Sequence, residues 1–443
     1  MIRVTQRIEI SPSVREPRVH RAWWVAAVAA LAIIAAGAFS TMPGLLVDPL
    51  HEEFGWSHGE ISFAVWVNMA LNGLTAPFAA ALMDRFGLRR VVAGALAVIA
   101  AGAALTTVMT EPWQLTLYWG VLVGLGCGSM AMAFAATVTN RWFVKRRGLV
   151  TGLLTAASVF GQFVFLPVLS WIVDHYHWRA GTVTVGLTSL IVVPFVWLLL
   201  RNHPADIGVK PYGSQEFVSR PPVASGTGRR TLKVLSVVTR TGPFWLLAAT
   251  FAICGASTNG IMWTHFTPAA HDHGMPVTVA SSLLAMVGIF NVVGTISSGW
   301  LTDRINPRWL LGSYYALRGL LLMFLPAMMG PTVQLPLISF VVLFGVLDVA
   351  TVPPTIALCR EFYGEDSAIA FGWVLAAHQL GAGLVAFGSG VARDALGSYD
   401  LVWMATGALC CGAAMLAVII RRPAHNMKHS AATELASSAG AGR

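Results

Sequence analysis

Long apolar runs, each separated from the next by a short polar turn, follow one another along almost the whole chain. Because a helix needs about 20 apolar residues to cross the hydrocarbon core of a bilayer, each such run predicts one transmembrane helix. Twelve runs can be placed, which we number as spans 1 to 12. They cover 22–46, 58–82, 89–110, 113–140, 146–174 and 179–200 in the first half of the chain, and 243–266, 277–302, 308–329, 333–359, 366–393 and 399–420 in the second half.

The pattern predicts an all-α, polytopic membrane protein built from five parts. Two six-helix bundles, 22–200 and 243–421, are joined by a polar linker, 201–242, which is rich in Pro, Gly and Ser and is expected on the membrane surface. A basic N-terminal arm, 1–21, precedes them, and a small polar tail, 422–443, is expected to be disordered. The first run is longer than the roughly 7–15 apolar residues of a signal peptide.

A short charged turn occurs twice, each time between two apolar runs of helix length. The first copy is centred on Asp84 and the second on Asp303, 219 positions later in a chain of 443 residues. Two related turns half a chain apart indicate an internal duplication. We therefore expect the two bundles to be pseudo-symmetric.

Composition and charge favour a membrane protein over a soluble one. Hydrophobic residues make up 56% of the chain and charged residues 11%, with a mean hydropathy of +0.67, whereas soluble domains carry about 25% charged residues. All the Lys and Arg residues except Arg179, Arg318 and Arg393 lie in segments that face the cytoplasm if both termini do. The positive-inside rule then predicts cytoplasmic termini in a cell (inner) membrane. This bias explains the net charge of +9 without a nucleic acid partner.

The two charged turns match the pattern of a known transporter family. The first reads A-L-M-D-R-F-G-L-R-R from Ala81, and the second G-W-L-T-D-R-I-N-P-R from Gly299. With twelve spans and a linker after the sixth, the chain resembles the major facilitator superfamily, in which two bundles alternate access to a central site. Departures from the pattern are Ala80 in the first copy and Asn306 in the second. The resemblance implies a gating role for Asp84, Arg85, Gly87, Arg89, Gly299, Asp303, Arg304 and Arg308.

The turn residues have a mechanical interpretation and a simpler alternative. Asp84 and Asp303 lie at the predicted inner ends of spans 2 and 8, where a carboxylate can bind the N-terminal amides of a neighbouring helix. The arginines beside them can cross-link inner loops, and such contacts are expected in the outward-open state. Alternatively, these charges only set the topology.

Three further stretches resemble the monocarboxylate and oxalate/formate porter branch of that family. They are P-L-H-E-E-F-G-W-S from Pro49 followed by E-I-S from Glu60, R-W-F-V-K-R-R-G-L from Arg141, and the glycines Gly120, Gly124, Gly126 and Gly128 of span 4. The resemblance implies that the solute is a small organic anion. The branch carries a lysine in span 1 and an Asp–Arg pair in span 8, and those positions are occupied here by Thr41, Asn291 and Thr295.

Three ionisable residues fall near the middle of predicted spans: Arg318 in span 9, Asp348 in span 10 and His378 in span 11. Because a charge at the centre of a membrane helix costs about 2.5–3.5 kcal/mol, such residues are candidates for function. Asp348, just before the helix-breaking Pro353-Pro354, is either a proton or substrate site or the partner of Arg318 in a buried ion pair. His378 either carries a proton or donates one hydrogen bond between helices.

Polar side chains at helical spacing occur on several spans. Any one such stripe is more often a helix–helix contact than a binding site. Together, however, the stripes would line a water-filled central cavity. The candidates for contact with solute or protons are therefore Thr41, Gln162, Asn259, Asn291, Thr295, Arg318, Asp348 and His378. The glycines 120, 124 and 128 have the four-residue spacing that lets two helices approach closely.

No cofactor or metal is predicted, because the chain lacks a P-loop and metal-ligand spacings, and its five cysteines fall in apolar runs. Two histidine pairs near outer helix ends, His175 with His177 and His271 with His273, are expected to be solvated. The sequence therefore predicts a secondary transporter, not an enzyme, that moves a small organic solute across the lipid bilayer with protons. No obligate protein partner is indicated. The alternatives are an exporter of amphipathic compounds and a non-transporting membrane receptor with the same fold.

Overall fold

The computed structural model describes residues 20–218 and 227–420. Over this part the chain is almost entirely helical, with one isolated β-bridge between Phe143 and Tyr212. The all-α prediction is therefore confirmed. The predicted tail and nearly all of the N-terminal arm lie outside the described residues, and so do the side chains of Thr41 and Gln162.

The helices of the first half follow the order of the predicted spans and keep their numbers. Span 1 consists of Arg21–Thr41 and Pro43–Phe54, and span 4 of Pro112–Leu115, the π-helical Thr116–Val123 and Gly124–Trp142. The other four are continuous: span 2 is His58–Phe86, span 3 Leu88–Thr106, span 5 Arg147–His175 and span 6 Trp178–Leu199.

The second half repeats this organisation. Span 7 consists of Gly242–Gly255, the π-helical Ala256–Gly260 and Met262–Asp272, and span 10 of Leu335–Asp348 and Val352–Tyr363. Span 8 is Val277–Thr302, span 9 Pro307–Phe324 with a 3-10 turn at Leu325–Met328, span 11 Ser367–Leu396 and span 12 Asp400–Ile419. Interior interruptions thus occur in spans 1, 4, 7 and 10, at intervals of three spans.

The number of helices is consistent with the twelve predicted spans. Among the described residues, ten helices are long and apolar enough to cross a membrane, and a bent pair that includes the first part of span 7 adds an eleventh. The twelfth predicted span is span 5, where the structure has the helix Arg147–His175 of 29 residues.

The packing of the helices is pseudo-symmetric, as the duplicated turn predicts. In the first half extensive contacts join span 1 with 5, span 2 with 4 and span 3 with 6. In the second half they join span 7 with 11, span 8 with 10 and span 9 with 12, which are the same pairs six spans later. The two halves meet mainly where span 2 packs on span 11 and span 5 packs on span 8, again a symmetric arrangement.

Spans 1 and 7 are longer than the apolar pattern predicts. Span 1 ends at Phe54, eight residues beyond the predicted end at residue 46, and span 7 ends at Asp272, six beyond residue 266. Both extensions contain charged residues and histidines, which the apolar pattern treats as loop. The extensions pack against each other, so that their polar side chains find partners across the two halves.

The predicted linker, 201–242, contains a helix that its composition does not indicate. Thr227–Val238 is helical and lies at 103° to the first part of span 7. The helix contacts span 11, where Trp373 Nε1 donates to the carbonyl of Thr231 at 3.2 Å, and Arg230 pairs with Asp366 at 2.9 Å. Before the helix, Tyr212 N donates to the carbonyl of Trp142 at 2.8 Å, which fixes the linker to the end of span 4.

The predicted close approach at the glycines of span 4 is confirmed. A Cβ added at Gly124 would lie 2.8 Å from the carbonyl oxygen of Asn68, and one at Gly128 would lie 2.7 Å from that of Asn72. The backbones of spans 2 and 4 are therefore in contact. Asn68 Nδ2 uses this proximity to donate to the carbonyl of Trp119 at 2.8 Å.

Candidate functional site

Span 10 breaks near its middle, as Pro353-Pro354 predicts. The first helix ends at Asp348 and the second begins at Val352, with Pro353 in its first turn. A helix end leaves carbonyl groups without helical partners. Ser298 of span 8 donates from Oγ to one of them, the carbonyl of Ala350, at 2.5 Å. The neighbouring spans thus hold the break in place.

Arg318 of span 9 is fully buried and caps the broken helix. Its Nη2 donates to the carbonyl of Leu347 at 2.6 Å and to the carbonyl of Asp348. Its Nη1 donates to Cys254 Sγ and to Ser257 Oγ of span 7, each at 3.2 Å. Because the C-terminal end of a helix carries partial negative charge, a guanidinium there is favourable. Arg318 therefore ties spans 7, 9 and 10 together.

The side-chain ion pair expected as one alternative for Arg318 and Asp348 is wrong for this structure. Among the described residues the guanidinium meets the backbone carbonyl of Asp348, and no ion pair joins the two side chains. The physical reason is the helix break, which turns the carbonyl groups of span 10 towards span 9. The carboxylate of Asp348 is directed instead towards spans 7 and 8.

The carboxylate of Asp348 is held from one side only. Its Oδ2 accepts from Asn291 Nδ2 at 3.2 Å and from Trp263 Nε1 at 3.4 Å, while its buried Oδ1 has no hydrogen-bond partner among the described residues. Over the same residues, Asp348 is the one buried carboxylate and Arg318 the one buried guanidinium. Burying the charged form of either side chain within the membrane costs free energy.

The π-helical segment of span 7 brings polar side chains to span 11. Thr258 Oγ1 lies 3.5 Å from His378 Nε2, and Asn259 Nδ2 donates to Gln379 Oε1 at 3.2 Å. The wider π turn presents consecutive polar residues to the neighbouring helix. π-helical segments are frequent at functional sites. His378 thus bridges spans 7 and 11, and its role as a proton carrier stays a prediction.

Five of the eight candidate residues therefore gather in one place, and we call them the polar cluster: Asn259, Asn291, Arg318, Asp348 and His378. Thr295 is half-buried on span 8, about one turn beyond Asn291. Thr41 and Gln162 belong to spans 1 and 5, and their side chains lie outside the described residues.

Three members of this region were not singled out from the sequence. Cys254 was expected to be a core residue, yet its Sγ contacts both Arg318 and Thr351 Oγ1, the latter at 3.2 Å. Ser257 and Gln379 carried a signal, because they adjoin Asn259 and His378 in otherwise apolar spans. Nothing in the pattern indicates the role of Cys254, since its partners come from spans 9 and 10.

The first charged turn is fixed within its own half of the molecule. Asp84 Oδ1 accepts from Arg141 Nη2 at 2.5 Å, and Arg141 Nη1 donates to the carbonyl of Asn202 at 3.1 Å. The side chain of Asn202 accepts from Arg89 N at 3.0 Å and lies over Gly87, whose φ of 88° suits glycine. The expected binding of Asp84 to helix amides is therefore wrong here, because the arginine that ends span 4 reaches the carboxylate. Arg85 is exposed beside the ring of Phe86.

The second charged turn differs from the first. Asp303 is exposed, and the guanidinium of Arg304 lies 4.0 Å from the ring centroid of Trp300. Arg308 Nη2 donates to Glu361 at the end of span 10 at 2.7 Å, so this tie also stays within one half. Asn306 replaces the glycine and caps span 9 by accepting from Arg308 N at 3.1 Å. A Cβ at Gly299 would meet open space, so no close helix approach requires this glycine.

Known proteins show the same organisation. A family model described as Major Facilitator Superfamily matches residues 28–331 and 255–441. Monocarboxylate transporter 13 of Bos taurus is 28% identical over 363 residues, which cover 80% of this chain and 79% of that protein. The uncharacterized MFS-type transporter YcxA of Bacillus subtilis (strain 168) is 22% identical over 388 residues, covering 86% and 90%. A crystal structure of a D-xylose-proton symporter superposes with a TM-score of 0.70 at 14% identity, covering 90% of this chain and 98% of that one.

The chain belongs to the Major Facilitator Superfamily. It is therefore a multi-pass membrane protein and a transporter of small solutes, not an enzyme. The predicted family is confirmed, and the chain is similar to monocarboxylate transporters, as the predicted resemblance to that branch implies.

Proposed function

We propose that this transporter takes up a small organic anion of the monocarboxylate class together with protons. The name of the similar bovine protein, a monocarboxylate transporter, supports the class of solute. The D-xylose-proton symporter of similar fold supports coupling to protons. The proposal also needs a carboxylate and a cation within the membrane, and the polar cluster contains both.

The position of Asp348 carries the proposal. The branch that the chain resembles has an Asp–Arg pair on span 8, where this chain has Asn291 and Thr295. Here a buried carboxylate lies one hydrogen bond away from Asn291, on span 10, and a buried guanidinium lies on span 9. We infer that the two charges of that pair have moved to Asp348 and Arg318.

In this proposal each of the two residues has a task. Asp348 ends a helix segment and has one unpartnered oxygen, so that Oδ1 can take up a proton when rocking of the halves admits water. Arg318 supplies the positive charge that favours an anion in the cavity. Asn259 and His378, on spans 7 and 11, add hydrogen-bonding groups for the solute. Thr41 and Gln162, whose side chains lie outside the described residues, stay candidates for contact with the solute from the first half.

The orientation and the division into parts belong to the same proposal. The distribution of Lys and Arg supports cytoplasmic termini in a cell (inner) membrane. In this arrangement bundles 22–200 and 243–421 rock about a site between them, and 201–242 connects them on the cytoplasmic side. The charged turns then lie at the cytoplasmic ends of spans 2 and 8.

Purified protein in liposomes with an imposed pH gradient tests the proposal. We expect a labelled monocarboxylate to accumulate on the side of higher pH, and Asp348→Asn to abolish this accumulation while leaving the thermal unfolding temperature close to that of the parent. The matched control is Asp174→Asn, a half-exposed carboxylate that pairs with His175 on its own helix. Unchanged pH-driven uptake by Asp348→Asn would remove this residue from proton coupling. Net flux in the opposite direction would favour an exporter, and solute binding without flux would favour a receptor.

A further inference from the structure

Ionisable side chains from both halves meet at the end of the molecule that is remote from the charged turns. We call the face that carries the two charged turns the basic face, and the other the opposite face. Four residues form what we call the latch: Asp48 and His58 of the first half, and His271 and Asp394 of the second half. Each of its two histidine–carboxylate pairs joins the two halves.

The first pair closes the start of span 2. Asp394 Oδ1 lies 2.8 Å from His58 Nδ1, and its two oxygens accept from the backbone amides of His58 at 3.1 Å and Gly59 at 2.8 Å. A residue of span 11 therefore caps a helix of the other half, 336 positions away. His58 itself is buried, so this contact exists only while the halves are packed together.

The second pair joins the extensions of spans 1 and 7. Asp48 Oδ2 lies 3.4 Å from His271 Nδ1. The side chain of His271 is 48% exposed, so that protons reach this pair from the solution. His271 is thus exposed, as expected, and the extended helices also bring a carboxylate to it. The backbones also meet here, where a Cβ at Gly44 would lie 3.0 Å from the carbonyl of Thr264.

The surroundings of the latch contain more carboxylates than permanent cations. The permanent cation near the latch is Arg393, which donates to both carboxylate oxygens of Asp272, at 2.7 and 2.9 Å. The ring of His51 lies 4.4 Å from that of His58. The other titratable groups around the latch are Glu52 on span 1, His265 and His273 on and after span 7, and Tyr399 and Asp400 at the start of span 12.

We propose that His58 and His271 are proton-binding sites, and that their protonation closes the opposite face. Closure brings the carboxylates of both halves together, and like charges at short range repel each other. A protonated imidazole at each site turns this repulsion into an attraction that is lost when the halves separate. An imidazole changes charge between about pH 5 and 8, which is the range of physiological pH changes.

This inference rests on the proposed function. It adds the latch as a second proton-binding site, which acts before Asp348 in the transport cycle. With cytoplasmic termini, the opposite face is the outer face. Acid outside would then close the outer gate behind the solute and favour release to the cytoplasm, which is the direction of proton-driven uptake. Asp348 would act later, within the membrane.

The test measures the opening of the opposite face without any solute. Spin labels are attached through Val108→Cys and Val333→Cys, two exposed positions in loops of the two halves. Distances are recorded between about pH 8 and pH 5.5, with labelled protein lacking both substitutions as the control for native cysteines. We expect the ratio of closed to open molecules to rise about fivefold on acidification, the size that two partly exposed ion pairs provide.

Paired variants decide the outcome. In His58→Gln with His271→Gln, which keeps hydrogen-bonding groups without the titratable charge, we expect the distance distribution to become independent of pH. His271→Gln alone, at a half-exposed site that tolerates change, should lose part of the response. His175→Gln is the matched control, because this histidine lies on the same face but pairs within its own helix. A full pH response in the double variant would overturn the proposal, and this readout is independent of whether a monocarboxylate is transported.

Discussion

At the scale of single residues, the proposed site has its carboxylate on span 10 and an amide beside it on span 8. Asn291 occupies the position of a carboxylate in the related branch, and Asp348 lies across one hydrogen bond from it. The carboxylate and the amide are nearly isosteric, so the two sites differ mainly in which helix carries the ionisable group. Span 10 gains a titratable residue at its break, and span 8 stays neutral.

This exchange predicts that the carboxylate can be moved back. Asp348→Asn should lose pH-driven uptake, and the combination of Asn291→Asp with Asp348→Asn should restore part of it, since the carboxylate shifts by one hydrogen bond and keeps an amide beside it. Asn291→Asp alone should lower uptake and the unfolding temperature, because two buried carboxylates would lie side by side. Uptake is measured in liposomes at one imposed pH gradient.

The uptake of the single and double variants shows whether the two positions are equivalent. If the double variant is as inactive as Asp348→Asn, the site requires its charge on span 10, and the equivalence of the two positions is wrong. If Asn291→Asp is harmless alone, the carboxylates do not interact at this distance. Both outcomes can be separated from misfolding by the unfolding temperature of each variant.

The sequence located Arg318, Asp348 and His378 because charge is costly inside a membrane and hence rare. It did not predict what they contact. Whether Arg318 pairs with a carboxylate or with carbonyl groups depends on where span 10 breaks and which way the freed groups turn. Cys254 shows the limit most clearly, since a cysteine in an apolar run becomes a polar contact only through residues about 60 and 100 positions away.

At the scale of helices, the interruptions in spans 1, 4, 7 and 10 separate two kinds of element. The continuous helices pack along their length, as spans 2 and 11 do, and form the frame. The interrupted helices carry the break that exposes carbonyl groups and the π turn that presents Ser257, Thr258 and Asn259. Irregular backbone in a membrane protein is tolerated where it is buried in protein or lines a cavity. In spans 7 and 10 the interruptions lie at the polar cluster, next to Asn259 and Asp348.

The contact between spans 2 and 4 yields a prediction about stability. Gly124→Ala should lower the free energy of unfolding by about 1–3 kcal/mol, because the added Cβ meets the backbone of Asn68 at 2.8 Å. Gly94→Ala is the matched control on span 3, where a Cβ meets nothing within 4 Å, and it should leave stability unchanged or slightly raised. Thermal unfolding in one detergent measures both. Equal stability of the two variants would show that spans 2 and 4 can move apart at no cost.

The apolar pattern predicted which helices are present better than it predicted where they end. Span 8 was predicted to the residue, since Pro276 and Asp303 flank a run that contains no charged residue. The ends of spans 1 and 7 were missed because polar residues there are stabilised by partners from the other half, such as His271 for Asp48. Such a partner is not visible in a window of neighbouring residues.

At the scale of the whole molecule, the charged contacts at the two faces join different parts of the protein. On the opposite face the ion pairs of the latch cross between the halves. On the basic face Asp84 with Arg141, and Arg308 with Glu361, join helices of the same half. A cross-half tie must open in alternating access, whereas a tie within one half keeps that half rigid while it rocks.

The rigid-half interpretation predicts how the charged turns affect transport. Asp84→Asn removes the tie to Arg141, so we expect a lower turnover number with little change in the solute concentration that half-maximally stabilises the protein against heat. Arg141→Gln should slow turnover equally, and the double variant should be no slower than either single one, because one interaction is lost in each case. Asp303→Asn, although Asp303 is exposed here, should also slow turnover if it gates in the other state of the cycle.

The matched control is Glu216→Gln, an exposed carboxylate of the linker, which should leave both quantities unchanged. Additive losses for Asp84 and Arg141 would mean that each acts with a different partner, and the tie seen here would then be incidental to transport. Variants that weaken solute binding but turn over at the normal rate would contradict a gating role for the turns. The charges would then serve topology alone, which was the simpler interpretation of their sequence.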